Sequence, residues 1–444
     1  MGFFAHVAEE LQRADAWWTI LVGALVNVAC GLLGCYLVLR RLSLLGDAIS
    51  HAILPGLAVA FMLTGSRSVI PMFVGAMVVG VLTAVLSETI HRIAKVPEDA
   101  SMGIVFTTLF AIGVILITRA ARQVDLDPGC VLYGEILNVV LDKRSFLGIE
   151  MPAALLPLGG TLVVVVAFIL LLHKELKIVT FDAHLATAMG INAIVVHYVL
   201  MAMVAATTVA AFESVGSILV VAMLIVPGAT AHLLTDRLGW MLLLAAVHGV
   251  ISAAGGYLLA SHPAINTSVA GMMTVVAGAQ FGLAVLLAPR YGLVSKWLHR
   301  ASLALRIVRE DVLAILYRWQ EAARQQPLST RDVSASLGGG PMPAVAIWLL
   351  ERARRLRRTA GGLSLTPAGV EVARGLVRSH RLWELYLAKH FNLPLDHLHE
   401  PAMRMEHFID ERLREELVDA APDASVDPHG RRIPAAANQS GEKS

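Results

Sequence analysis

The chain has 444 residues, 56% of them hydrophobic and only 16% charged, with a mean hydropathy of +0.67. That composition excludes a soluble enzyme and points to a polytopic membrane protein. The net charge of +2 identifies no partner, but its distribution does inform: 13 Lys and Arg precede Pro289 and 23 follow it. A membrane part is therefore followed by a charged, soluble part of about one domain's length.

In chain order, a segment at 1–15 carries Glu9, Glu10 and Asp15 rather than a basic stretch, so no cleavable signal peptide is expected. Apolar runs long enough to cross a bilayer follow at 17–39, 48–63, 70–90, 104–118, 152–172, 193–211, 215–234, 240–260 and 269–288. The expectation is an all-α membrane domain at 16–290 with nine spans, or eight if one is re-entrant. In the nine-span arrangement Arg40, Arg41, Arg92, Lys95, Lys174, Lys177, Arg237, Arg290 and Lys296 fall on one side, which is then the cytoplasm. Arg119 and Arg122 dissent, weakened by Asp125 and Asp127 beside them. Cys30, Cys35 and Cys130 have neither disulfide nor zinc spacing and are expected to pack as small apolar residues.

The stretch LGDAISHAILPG at 45–56 organises this part. Asp47 and His51 are four residues apart, so a helix turns both to one side, and carboxylate plus imidazole suits a divalent transition metal. The plainer alternative makes Asp47 a helix N-cap at the membrane edge. Pro55-Gly56 should kink or break the helix one turn later, as broken transporter helices do. Pro227-Gly228 predicts a second break. His232 and His248 read as packing residues. Between two spans, 174–192 (KELKIVTFDAHLATAMGIN) is a short polar helical stretch stopped by Gly190, either a docking surface or an ordinary loop. No GxxxxGK[ST] loop occurs, so this chain is not expected to bind ATP in that manner.

The soluble part reads as helix (306–325), helix (329–337), a Gly338-Gly339-Gly340 turn, helix (341–356) and a β-wing (357–366), a winged helix-turn-helix plan. Beyond it, His380 and Glu384 are spaced i, i+4. His399, Met403 and His407 repeat that spacing with Glu406 alongside, a divalent-metal constellation by spacing alone. The alternative is a solvated helix carrying ion pairs. The tail at 435–444 is small, polar and expected to be disordered.

Five ordered motifs resemble the permease subunit of manganese, zinc and iron ABC importers: 45–56, PEDASMGIVFTTLFAIGVIL at 97–116, VLYGEIL at 131–137, FDAHLATAMGI at 181–191 and 215–234. The resemblance spans about 15–290. It implies a homodimeric or heterodimeric permease in the bacterial cytoplasmic membrane, a separate cytosolic ATPase subunit and an extracytoplasmic metal-binding protein. It places the ion path at Asp47, Ser50 and His51, and ATPase coupling at Phe181, Asp182, His184 and Gly190. His184 stands where an acidic residue is common. Mn, Fe and Zn remain open.

The order LTPAG (365–369), SHRLWE (379–384), HEPAMRMEH (399–407) and DPHGRRIP (427–434) resembles iron- and manganese-dependent repressors of the diphtheria-toxin-repressor class, over about 306–434 of a domain expected at 300–434. That resemblance implies a metal-binding and dimerisation domain. Its primary metal site would fall on Asp311, Met403, Glu406 and His407, and its ancillary site on His380, Glu384 and His399. Met403 departs from the usual Cys or Glu. The start of the recognition helix, GGPMPAVA at 339–346, lacks side chains that could pair with base edges. The favoured reading is a cytosolic domain that senses metal and regulates transport. A membrane-tethered DNA-binding regulator and a purely structural domain stay as alternatives.

Overall fold

The computed structural model describes residues 9–10, 12–42, 44–65, 69–120, 136, 142–146, 149–322, 327–359, 361–391, 393–421 and 425–435. Arg122, Asp125, Asp127, Cys130, most of 131–137 and the tail beyond 435 lie outside the described residues. The chain forms two units, Met1–Ser295 and Lys296–Ser444.

The first unit is helical throughout its spans. Its elements are α1 (Ala14–Leu39), α2 (Leu45–Ala52), α3 (Leu54–Thr64), α4 (Val69–Ala94), α5 (Glu98–Ala120), a hairpin of β1 (Lys143–Phe146) and β2 (Ile149–Pro152), α6 (Leu155–Leu171), α7 (His173–Phe181), α8 (Ala183–Ala188), α9 (Ala193–Val215), α10 (Ser217–Leu234), α11 (Leu238–Ala260) and α12 (Val269–Leu287). Among the described residues, seven helices are long and apolar enough to cross a membrane. An eighth is added if α6 and α7, bent by 72° at Leu172, count as one span. The shorter apolar segment Leu219–Leu234 of α10 falls on the seventh of the nine expected runs, 215–234. The bend is where the expected polar stretch begins, since α7 carries Lys174, Glu175 and Lys177.

The expected Pro-Gly breaks take a milder form than the sequence suggests. Leu45–Thr64 remains one candidate span, interrupted only at Ile53, whose backbone stays right-handed helical at φ −70° and ψ −17°. The helix α10 continues through Pro227 without a break. Both motifs serve packing instead. A Cβ on Gly34 would lie 1.9 Å from the Leu224 carbonyl oxygen, and one on Gly228 would lie 2.9 Å from the Gly34 backbone. The helices α1 and α10 thus cross backbone to backbone, as small residues permit in a membrane. Gly56 and Gly75 do the same for α3 and α4, where a Cβ on Gly56 would sit 2.2 Å from the Gly75 oxygen. Cys30 and Cys35 are buried, as their apolar reading requires.

The second unit contains α13 (Leu293–Glu321), which begins just before the boundary, then α14 (Thr330–Ser336), α15 (Pro341–Arg352), the antiparallel pair β3 (Leu356–Thr359) and β4 (Gly362–Leu365), α16 (Pro367–Phe391), α17 (His399–Met405) and α18 (Glu411–Asp419). Ser329 caps α14 through the Asp332 amide, and Gly338, Gly339 and Gly340 all take positive φ in the turn before α15. The third helix stops at Arg352, earlier than expected, because Arg354 turns the chain at φ 54° into the wing. Val312 and Leu316 of α13, Ile347 and Leu350 of α15 and Leu363 of the wing share one core.

Candidate metal centres

In the first unit, Asp47 and His51 lie on α2 and one turn brings His51 Nε2 within 3.4 Å of Asp47 Oδ1. Both side chains are about 40% exposed, at 42% and 37%. Phe106 and Phe110 of α5 flank the imidazole with ring centroids 6.1 Å away. Ser50 is buried, and its hydroxyl donates to the Asp47 carbonyl at 2.8 Å. It therefore steadies the turn that carries the pair.

The residues to which the resemblance assigns coupling form a helix-capped corner. Phe181 ends α7, and Asp182 caps α8 by accepting from the Leu185 amide at 2.9 Å. Gly190 ends the segment at φ +82°. Phe181 at the end of α7, and Leu185 and Met189 on and just after α8, are all exposed. His184 lines a cavity with Arg40, Arg92 and His197. Sequence reading missed this polar group. Glu88 accepts from Arg92 and lies 3.4 Å from His197, inside helices that otherwise read as plain apolar spans.

In the second unit the predicted ligands gather into two clusters, each with its donor atoms within 4.8 Å of one another. In the first, Glu384 Oε1 is 3.0 Å from both His380 Nε2 and His399 Nδ1, and those two nitrogens are 3.1 Å apart. Residues 380 and 384 face together from α16, and His399 opens α17. His380 Nδ1 lies 2.6 Å from Glu406 Oε2 without hydrogen-bond alignment, so this buried nitrogen lacks a satisfied partner. His429 adds a third imidazole 4.0 Å from Glu384 Oε1. Asp427 presents it by accepting from the His429 and Arg431 amides at 2.9 and 2.7 Å. The DPHG motif could have signalled this.

In the second cluster, His407 Nε2 lies 3.3 Å from Asp311 Oδ1 and its Nδ1 lies 2.8 Å from Glu310 Oε2. Glu310 was not anticipated, although it adjoins Asp311. Glu406 is buried, paired with Arg318 at 3.2 Å, and touches His380, so it joins the two clusters. Met403, assigned here by the resemblance, is 45% exposed on α17.

Protonation follows from this packing. Burial opposes charge on His407, but Asp311 and Glu310 on its two nitrogens outweigh burial and raise its pKa to about 9. Burial likewise opposes charge on His380, and Glu384 and Glu406 still push it upward. Burial would raise Glu384, yet His380 and His399 pull it down to about 2. Imidazoles and carboxylates brought this close suit a divalent transition metal. His380 Nε2 and His399 Nδ1, converging on the shared Glu384 oxygen, fit that role.

The ABC 3 transport family matches residues 14–288. The chain belongs to that family. A second match, to the iron dependent repressor metal binding and dimerisation domain, covers residues 366–435. The chain is 46% identical over 280 residues to the manganese transport system membrane protein MntD of Bacillus subtilis, covering 63% of this chain and 94% of that protein. It is 36% identical over 361 residues to the zinc transport system membrane protein TroD of Treponema pallidum, covering 81% of this chain and 93% of that protein. The second alignment is longer than the permease match, so similarity to TroD extends beyond the spans. Among solved structures, PsaBC from Streptococcus pneumoniae in complex with Fab is 31% identical with a TM-score of 0.54, covering 65% of this chain and 97% of that one. The chain is thus an ABC 3 permease with a C-terminal repressor-like metal-binding domain.

Proposed function

We propose that this permease subunit serves an ATP-driven importer of manganese or zinc, and that its C-terminal unit senses such ions in the cytosol and regulates uptake. The convergence of His380, Glu384 and His399 at 3.0 to 3.1 Å carries the sensing half. The naming of MntD and TroD for manganese and zinc transport supports the transported ion; iron has no such support among the relatives described.

On the transport side, Asp47 and His51 offer a carboxylate and an imidazole to a cation shedding its water. Charge within a span is costly, and it is retained where it handles an ion. The exposed Phe181, Leu185 and Met189 would dock a cytosolic ATPase, with Asp182 capping α8 between them. An extracytoplasmic metal-binding protein would deliver the ion to a homodimeric or heterodimeric permease. The C-terminal unit would lie in the cytosol of a bacterial cell, a reading that the basic loop ends support.

On the sensing side, a bound divalent cation would supply the positive charge that protons on His407 and His380 supply without it. Asp311, Glu406 and His407 would hold one ion, and His380, Glu384 and His399 another. Deprotonating His407 removes its bridge between Glu310 and Asp311, both on α13. Glu406 links that change to His380 on α16. Differential binding of this kind shifts a two-state equilibrium. A DNA-reading role is disfavoured because α15 exposes Met342, Val345 and Trp348, none able to make a bidentate contact with a base edge.

Uptake of radiolabelled Mn²⁺ or Zn²⁺ into vesicles holding the ATPase subunit tests the transport half. Asp47→Ala or His51→Ala should abolish uptake while the ATPase still co-purifies. Undiminished uptake would overturn it.

A further inference from the structure

The opening turns of α13 take no part in either metal cluster. Leu293, Val294, Trp297 and Leu298 are 57%, 42%, 67% and 54% exposed. Their spacing of i, i+1, i+4 and i+5 sets them on one helix face, with Lys296 and Arg300 flanking it and His299 on the far side. Lys296 and Arg300 form no ion pair among the described residues. A soluble helix would bury such an apolar face.

Position identifies what covers it. Only residues 288–292 separate this helix from the end of the α12 span at Leu287. Five residues reach at most ~18 Å. The connection is also tied down. Tyr291 donates to Asp236 at 2.8 Å, Arg290 pairs with the same carboxylate, and the Ser295 hydroxyl donates to the Pro289 carbonyl. The helix therefore starts close to where the chain leaves the bilayer. Tryptophan and leucine on one face, with lysine and arginine beside them, compose a helix that lies in the membrane interface.

We propose that residues 293–301 form a membrane-surface helix seated on anionic phospholipid. The apolar face enters the acyl boundary, and Lys296 and Arg300 reach up to the headgroup phosphates. A second copy of the chain fits less well, because a self-complementary contact through this face would bring the cations of both copies together. The proposal needs only the spans, not the sensing reading. If sensing also holds, it has a consequence. The same continuous helix carries Glu310 and Asp311, ten residues beyond Arg300 and about 15 Å along the axis. The metal-responsive end and the lipid-held end then belong to one element.

The test places benzoylphenylalanine at position 294, 298 or 299 of the full-length protein in nanodiscs containing phosphatidylglycerol, with and without the ATPase subunit. Photolysis should give lipid adducts at 294 and 298 and none at 299. Adding Lys296→Glu and Arg300→Glu should cut the adduct yield severalfold. Adducts to a second copy or to the ATPase at 294 and 298 would overturn the proposal, as would equal lipid labelling at all three positions.

Discussion

Metal binding to the C-terminal unit should expel protons, and the structure sets how many. His407 is held between Glu310 and Asp311, with a pKa of about 9. At pH 7, two units lower, about 99% of it is protonated, and baring one nitrogen costs about 2.7 kcal/mol. His380, also shifted upward, adds a second, partial proton. Apparent affinity should therefore climb about tenfold per pH unit for each proton displaced, and His407 should cease to contribute above pH 9. The assay is calorimetric titration with Mn²⁺ or Zn²⁺ in buffers of differing ionisation enthalpy, on full-length protein carrying His51→Ala to silence the membrane pair. Between one and two protons should leave per chain at pH 7. Release of none would refute the reasoning, because the imidazoles would then not be the groups that exchange protons for metal.

Three further outcomes are expected. Without metal, the raised His407 should stabilise the C-terminal unit fully below pH 6.5, and that contribution, on the order of 3 kcal/mol, should be lost as pH rises through about 9; a flat unfolding profile over pH 7 to 10 would contradict this. Gly34→Ala should destabilise the membrane unit by about 1 to 3 kcal/mol or more, because the new methyl meets the Leu224 carbonyl at 1.9 Å. A thermal melt matching the unaltered protein would rule that out. Asp182→Ala should weaken the α8 cap by about 1 kcal/mol and reduce uptake per ATP hydrolysed, leaving metal binding at His51 untouched.

Much of this was legible because periodicity and short-range spacing carry it. All nine apolar runs fall on helices, and the i, i+4 pairs Asp47–His51 and His380–Glu384 meet because one helical turn brings them together. Contacts set by tertiary packing were less legible. Pro227 suggests a break, yet α10 continues through it, and the Pro-Gly pair serves a contact with Gly34, 194 positions from Gly228 in sequence. Glu310 was overlooked because a family pattern names Asp311, while the imidazole of His407 reaches both neighbours. Arg318 and Glu406 are 88 residues apart and no spacing rule pairs them. Glu88 and His197 were hidden by the strongly apolar runs around them.

The central claim is that ions already inside restrain the transporter through its own C-terminal unit. The measurement is ATP-driven uptake into vesicles preloaded on the cytosolic face with graded Mn²⁺ or Zn²⁺, comparing the unaltered chain with Glu406→Ala, His407→Ala. The account predicts that uptake by the unaltered chain falls as cytosolic-side metal rises, and that the double variant stays uninhibited at the same starting rate. Equal inhibition in both would contradict it.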